Sequence, residues 1–296
     1  MAKLGGSMVA IVTPMAGGVD PQCAIDWPAF DRFIEFHIDN GTDGIVAVGT
    51  TGESATLSEE EHCHAIKHVV DKVAGRIPVI AGTGANSTSE AVRLTQCAKD
   101  AGADACLLVT PYYNKPTQAG LVEHHRYVAN AVDIPQILYN VPGRTAIDMS
   151  VETICQLAEV SNIVGVKEAT GEVSRVQPLR AGCGDDFLLL SGDDLTGREF
   201  MLAGGDGVIS VTANVAPKLM SDLCKSAING DAEGAQKIDD KLVALHRDLF
   251  VQSNPIPVKW AVHKMGYCSP SIRLPLTWLT APEQDIVAAA MAQAGI

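Results

Sequence analysis

One lysine stands where a covalent reaction with a carbonyl compound would be possible. Residues 163–168, IVGVKE, place Lys167 at the end of an apolar run, where a charged ammonium is costly and the neutral amine is favoured. A neutral amine can attack a ketone and form a Schiff base. The alternative is a structural lysine paired with Glu168 or another carboxylate.

A second apolar segment ends at Tyr139 and is followed by Asn140, a Val-Pro-Gly turn and Arg144. If this segment and residues 163–168 are neighbouring strands, the Tyr139 phenol lies beside Lys167 and could transfer protons. The Arg144 guanidinium could bind a substrate carboxylate. A packing tyrosine and a solvated loop arginine are the alternatives.

Three further loops carry groups that suit a binding site. Gly49-Thr50-Thr51-Gly52-Glu53 combines two glycines with two hydroxyls, so it could hold a carboxylate or phosphate, or could be a plain tight turn. The loop 110–116 presents Tyr112 and Tyr113, which favours an interface or a site. Asp193 and Asp194 could bind a metal, but helix capping is favoured because no third ligand follows at a recognisable spacing.

A zinc site is conceivable at His64 and His68, which share one helix face four residues apart. That pair would suggest a metal-dependent hydrolase. Both histidines lie on a helix body and no H-E-x-x-H motif occurs, so structural or solvent-facing histidines are the favoured interpretation. We expect no metal.

The elements that must position these groups are short, nearly continuous apolar segments separated by helical patterns. Such runs are typical of strands covered on both faces in a parallel sheet. Eight of them occur: 8–12, 44–48, 78–81, 106–109, 136–139, 163–167, 187–190 and 207–211. Eight strand-helix repeats predict an α/β fold, a (β/α)8 TIM barrel, whose active site forms at the strand ends.

The rest of the chain is expected to form a C-terminal helical extension, giving a catalytic barrel over 1–224 and a helical region over 225–296. Capping boxes predict helix starts at Ser58, Ser87 and Thr280, with Glu61, Glu90 and Glu283 three residues later. A doubly wound open sheet is the second architecture considered. It is disfavoured because no G-x-G-x-x-G follows the first strand.

The composition of the chain narrows the classes of binding partner and the cellular location that can be expected. With 22 Lys and Arg against 35 Asp and Glu, the formal charge of the 296 residues is −13, which disfavours nucleic acid and anionic membranes. The eight cysteines form no C-x-x-C pair and no signal-type or membrane-spanning segment is recognisable. We therefore expect free thiols and a soluble, cytoplasmic protein.

The ordered motifs resemble those of one enzyme superfamily. Segments 49–54 (GTTGES), 110–113 (TPYY), 139–142 (YNVP), 165–168 (GVKE) and 191–193 (SGD) are similar to the pyruvate-dependent class I aldolases of the dihydrodipicolinate synthase and N-acetylneuraminate lyase superfamily. Arg144, 208–214 (VISVTAN) and 254–259 (NPIPVK) favour the dihydrodipicolinate synthase family within it. The resemblance extends from about Gly6 to the C-terminus.

The resemblance implies a lysine-biosynthesis enzyme that condenses pyruvate with aspartate 4-semialdehyde, without a cofactor beyond the covalent Schiff base. Each site residue then has an implied role. Lys167 forms the imine, Thr50 and Thr51 hold the pyruvate carboxylate, Arg144 meets the semialdehyde carboxylate, the backbone near Gly192 and Ile209 lines the pocket, and Tyr139, Thr51 and Tyr113 relay protons. Tyr113 would come from a neighbouring subunit of a homotetramer built as a dimer of dimers.

The same resemblance implies feedback inhibition by L-lysine at a dimer interface. The matching positions are Ser54, Ala55, His62, Asn86, Glu90 and Tyr112. Glu59 departs from the lysine-sensitive pattern, which has histidine there. We still expect inhibition, because an added carboxylate does not repel lysine.

Two other functions remain open at this stage. A lyase of the same fold could cleave N-acetylneuraminate or a 2-keto-3-deoxy sugar acid, but sialic acid lyases typically lack an arginine at the position of Arg144. A catalytically silent lysine sensor is the other, and turnover would distinguish it from an enzyme.

Overall fold

Eight parallel strands close into a barrel in the computed structural model, which describes residues 4–296. The closed order is β1, β10, β9, β8, β7, β6, β5 and β4. The strands are β1 (Gly6–Ala10), β2 (Met15–Ala16), β3 (Ala24–Ile25), β4 (Gly44–Ala47), β5 (Val79–Gly82), β6 (Ala105–Val109), β7 (Gln136–Asn140), β8 (Ile163–Glu168), β9 (Leu188–Ser191) and β10 (Gly207–Ser210). β2 and β3 form a separate two-stranded antiparallel sheet. The predicted (β/α)8 barrel is confirmed, and the open sheet is excluded.

The strand register fixes which side chains meet at the carboxyl end of the barrel. β7 and β8 pair so that Tyr139 lies opposite Lys167, as the sequence predicted. β1 closes the barrel on β10, with Met8 opposite Ile209. Since all eight strands run in the same direction, their last residues form one face.

Helices cover the outside of the barrel and extend past it. They are α1 (Trp27–Asp39), α2 (Glu59–Val73), α3 (Thr88–Ala101), α4 (Gln118–Ala131), α5 (Pro142–Thr145), α6 (Val151–Ala158), α7 (Val176–Cys183), α8 (Gly197–Leu202), α9 (Pro217–Ile228), α10 (Ala232–Asp248), α11 (Ile256–Lys264) and α12 (Ala281–Gln293). α9 runs across the boundary predicted at residue 224, and that division stays a prediction. Within residues 4–296 no helix is long and apolar enough to cross a membrane.

The three capping boxes have different outcomes. Ser58 and Glu61 satisfy each other's backbone N–H groups at the start of α2, and Glu283 accepts from the Thr280 N–H and hydroxyl at the start of α12. The box predicted at Ser87 is wrong. Its hydroxyl lies 3.1 Å from that of Ser89 and caps no backbone N–H of α3.

The cysteine prediction is wrong for one pair. Cys63 on α2 and Cys97 on α3 form a disulfide, with Cα atoms 6.0 Å apart, because the two helices pack side by side. The other six cysteines are free. No C-x-x-C spacing announces this pair, since its partners are brought together only by helix packing.

Candidate active site

A cavity of about 180 Å³ opens among the carboxyl ends of the strands. Its walls include six of the eight residues predicted for catalysis or substrate binding, namely Thr50, Thr51, Tyr139, Arg144, Lys167 and Gly192. Ile209 does not line it and is 1% exposed among the side chains that fill the barrel, while Val211 reaches the cavity wall. The strand ends therefore bring most of the predicted site together.

Lys167 lies at the carboxyl end of β8, and only 6% of its surface is exposed. Its Nζ is 4.3 Å from the ring centroid of Tyr139, an arrangement in which the aromatic face attracts an ammonium. On the other side, a Cβ at Gly192 would lie 2.8 Å from Lys167 Cε. The amine is thus held in a slot that the glycine leaves open.

Glu168 does not neutralise Lys167, although the two are adjacent in sequence. Successive side chains of a strand point to opposite faces, and the Glu168 carboxylate contacts Arg175 Nε at 3.0 Å and the Thr170 N–H at 2.9 Å. Burial raises the pKa of Glu168. The interpretation of Lys167 as the ion-pair partner of Glu168 is wrong, and its amine faces the cavity without a carboxylate partner among residues 4–296.

The loop 49–53 after β4 is held in an uncommon backbone conformation. Val48 has φ 46° and Glu53 has φ 59°, both in the left-handed region, which is costly for a β-branched residue. A Cβ at Gly82 would lie 2.5 Å from the Val48 carbonyl oxygen. The Thr13 hydroxyl donates to the Gly52 carbonyl at 2.8 Å. These contacts hold the backbone of the loop that carries Thr50 and Thr51, both of which line the cavity.

Arg144 belongs to the short α5 and is exposed, with its side chain reaching the cavity wall. Tyr113 is 90% exposed and Tyr112 39% exposed, on the loop after β6. Tyr113 does not line the cavity of its own chain. Its predicted place in the proton relay depends on a neighbouring subunit and stays a prediction.

A second cavity of about 540 Å³ lies beside the first. Six residues predicted for the lysine pocket line it: Ser54, Ala55, Glu59, His62, Glu90 and Tyr112. Asn86 does not, and its carbonyl accepts from Asn114 Nδ2 at 2.9 Å. Thr50, Ser54, His62, Arg144 and Asn254 line both cavities, so the two share a wall.

Charge in the second cavity is partly compensated. Hydrogen bonds from Arg93, at 2.7 and 3.3 Å, hold the pKa of Glu59 below its usual range. Burial, together with the nearby Glu90 carboxylate, raises the pKa of Tyr112. Burial also lowers the pKa of His62, whose Nε2 donates to the Gly82 carbonyl at 2.7 Å. Glu90 is therefore the carboxylate available to a cationic ligand.

The histidines considered for zinc lie away from both cavities. His64 and His68 on α2 pack against Trp27, each with ring centroids 4.7 Å from it, and His68 Nε2 is 2.8 Å from Asp31. The structure brings no group of three or more His, Cys, Asp or Glu side chains into a metal-binding cluster over residues 4–296. The structural interpretation of the pair agrees with these contacts.

Sequence reasoning missed a buried polar connection between the site and the C-terminal region. Asn254 Nδ2 donates to Thr51 Oγ1 at 3.0 Å. Lys259 pairs with Glu53, and neither side chain is exposed. Burial lowers the pKa of Lys259, an effect that the Glu53 carboxylate opposes. A lysine inside the apolar α11 sequence, Ile256–Lys264, indicates a buried cation but does not identify its partner.

Comparisons with known proteins agree with this geometry. A family model described as the dihydrodipicolinate synthetase family matches residues 3–294. A 4-hydroxy-tetrahydrodipicolinate synthase of Methylococcus capsulatus is 62% identical over 291 residues, 98% of this chain and 99% of the relative.

Two solved structures are also similar. A chloride-inhibited dihydrodipicolinate synthase of Acinetobacter baumannii, complexed with pyruvate, has a TM-score of 0.96 and 53% identity, covering 99% of this chain and 100% of its own. A dihydrodipicolinate synthase of Cyanidioschyzon merolae with lysine bound has a TM-score of 0.93 and 39% identity, covering 98% of each chain.

Proposed function

Because the chain belongs to the dihydrodipicolinate synthetase family, we propose that it condenses pyruvate with aspartate 4-semialdehyde through a Schiff base at Lys167. Its activity is that of a 4-hydroxy-tetrahydrodipicolinate synthase, a lyase of the pyruvate aldolase type, as in relatives matched over nearly the full chain. The single observation that carries the mechanism is the amine of Lys167, 6% exposed, in the cavity at the strand ends.

The chemistry follows from the groups around that amine. The neutral Lys167 amine attacks the pyruvate keto carbon. One proton delivered through Tyr139 accompanies the loss of water and gives a protonated imine, which acts as an electron sink. Loss of a proton from the pyruvate methyl group gives the enamine, which attacks the aldehyde carbon. Tyr139, against which Lys167 lies, and Thr51 are placed to move these protons. Arg144 supplies positive charge for the semialdehyde carboxylate.

Borohydride trapping tests the covalent step. With pyruvate, reduction should leave one stable adduct, and peptide mass mapping should locate it on Lys167. Lys167→Ala should give neither the adduct nor turnover, and circular dichroism should show that it is folded. An adduct on another residue, or none in the wild type, contradicts the proposal.

A substrate panel tests the second substrate. Pyruvate with aspartate 4-semialdehyde should be consumed, whereas N-acetylneuraminate and 2-keto-3-deoxy sugar acids should not be cleaved. Consumption of a sugar acid instead would assign the alternative lyase activity. If pyruvate forms the trapped adduct but none of these substrates is consumed, the imine chemistry stands and the proposed acceptor is rejected.

We further infer that L-lysine inhibits the enzyme from the second cavity. Glu90 and Tyr112 line that cavity, and Arg93 already neutralises Glu59. Initial rates should fall with millimolar lysine, and Glu90→Gln should weaken the inhibition because it removes the carboxylate facing the ammonium group. Rates unaffected by millimolar lysine would contradict this inference.

We also propose that the enzyme is a cytoplasmic homotetramer, a dimer of dimers in which Tyr113 of one subunit completes the proton relay of another. The exposure of Tyr113 and Tyr112 on one loop supports this assembly, since adjacent exposed aromatic side chains favour an interface. Sedimentation velocity should give a tetramer, and Tyr113→Phe should reduce turnover without changing the mass. A monomer with full activity would contradict it.

A further inference from the structure

Asn254 contacts two site residues from outside the barrel strands. It is 6% exposed and precedes α11. Its Nδ2 donates to Thr51 Oγ1 at 3.0 Å, and its backbone carbonyl accepts from Arg144 Nη2 at 3.2 Å. It also lines both cavities. One residue of the C-terminal region therefore contacts both a relay hydroxyl and the carboxylate-binding guanidinium.

Because the Asn254 amide donates in the contact with Thr51, it determines which hydrogen bonds the Thr51 hydroxyl can still form. A threonine hydroxyl has one proton to donate and two lone pairs that accept. The amide occupies one lone pair, so one acceptor and the single proton remain for other partners. A relay between two phenols needs one acceptor and one donor. We propose that Asn254 is a positioning residue that keeps the Thr51 hydroxyl proton free for the relay.

A buried ion pair holds this segment against the threonine loop. Lys259, one turn into α11, pairs with Glu53, two residues after Thr51. The Arg273 N–H donates to the other Glu53 oxygen at 3.0 Å. The segments 51–53 and 254–259 are thus joined twice, by Asn254 to Thr51 and by Lys259 to Glu53. These two separate contacts hold Asn254 next to the threonine loop.

The second amide atom adds an independent observation. Asn254 Oδ1 is buried and has no hydrogen-bond partner among the described residues. A buried acceptor left without a donor costs free energy. The Asn254 amide therefore contacts Thr51 through Nδ2, while its Oδ1 is buried and unpaired among residues 4–296.

Asn254→Asp tests the direction of the hydrogen bond while keeping the size of the side chain. A carboxylate accepts from the Thr51 hydroxyl and captures its proton, so turnover at pH 8 should fall about tenfold or more. A protonated carboxyl can donate again, so the ratio of variant to wild-type turnover should rise as the pH is lowered. Asn254→Ala removes the donor without adding an acceptor and should show a loss with no such recovery.

Asn229→Asp is the matched control. Asn229 is exposed at the end of α9, so this substitution adds the same charge away from the site. It should keep wild-type turnover at every pH. The role of Asn254 rests on the proposed Schiff-base chemistry, so pyruvate trapping accompanies each assay. We expect Asn254→Asp to retain the Lys167 adduct while losing turnover.

The outcomes separate the two ideas. Absence of the adduct in the wild type would reject the proposed function itself. A wild-type adduct with Asn254→Asp turning over like Asn229→Asp would reject only the role of Asn254. A pH-independent loss equal in Asn254→Asp and Asn254→Ala would also reject it, because a merely structural contact gives that result.

Discussion

Replacing Lys259 by methionine removes one half of an ion pair that has no exposure to solvent. The side chains of Lys259 and Glu53 are both 0% exposed. In Lys259→Met the Glu53 carboxylate keeps, among the donors within residues 4–296, only the Arg273 N–H at 3.0 Å. Loss of one partner of a buried pair leaves an uncompensated charge, so the free energy of unfolding should fall by about 3–5 kcal/mol.

The assay is urea unfolding at one fixed protein concentration, followed by circular dichroism, because assembly makes apparent stability depend on concentration. Lys259→Met should lower the midpoint strongly. The double variant Lys259→Met/Glu53→Gln removes both charges, and a glutamine oxygen can still accept from Arg273. Its loss in free energy of unfolding should be smaller, by about 1–3 kcal/mol, than the summed losses of Lys259→Met and Glu53→Gln measured singly.

Lys237→Met is the matched control. Lys237 and Glu233 also form an ion pair, at 2.6 Å, but their side chains are 71% and 83% exposed. Exposed pairs contribute little, so this variant should stay within about 0.5 kcal/mol of the wild type. Equal losses in Lys259→Met and Lys237→Met would refute the argument from burial, and strictly additive losses in the double variant would refute the pairing.

Two further predictions concern the site and the acid limit of stability. Gly192→Ala would place a Cβ 2.8 Å from Lys167 Cε, so kcat/KM should fall roughly 100-fold. Gly143→Ala should not change it, because apart from the adjacent chain and its own helix no described heavy atom lies within 4 Å of that Cβ. Equal rates in the two variants would contradict the slot. Burial lowers the pKa of His37 and of His125 from 6.5 to about 3, so the unfolded state binds more protons and stability is lost as the pH falls from about 6.5 towards 3. Each of the two histidines lowers the free energy of unfolding by about 2 kcal/mol at pH 5 relative to its value above pH 7. His125→Phe should reduce the loss between pH 7 and pH 5 by that amount in urea unfolding, and parallel pH curves would contradict it.

The barrel and the position of Lys167 at its carboxyl end could be predicted because their signals are local. Residues 163–168 form a continuous apolar run with one amine at its end, and strand ends form a single face whatever the details of packing. The parallel register then puts Tyr139 beside Lys167. These conclusions need only the apolar pattern and the direction of the strands.

The first strand was placed two residues late for a physical reason. Ile11 and Val12 are fully buried and continue the apolar run, yet β1 ends at Ala10. The Val12 N–H donates to Asn214 Oδ1 at 2.9 Å instead of to a neighbouring strand. Apolar patterning reports burial, and it does not report which acceptor takes each N–H.

The contacts of Asn254 and Lys259 could not be predicted, because their partners lie 203 and 206 residues away in the chain. Their positions follow from how the C-terminal helices dock on the barrel. The same holds for Cys63 and Cys97, which meet because α2 and α3 pack together. Spacing along the sequence carries no signal for such pairs.

The pairing of Glu53 with Lys259 determines when the pocket can form during synthesis of the chain. A ribosome makes Glu53 early, and the cation that compensates it follows 206 residues later. A nascent chain that has all eight barrel strands but stops before α11 holds a carboxylate with no counter-charge beside its threonine loop. Translation must therefore pass residue 259 before the pocket can take its final shape, so products that stop before α11 should be inert.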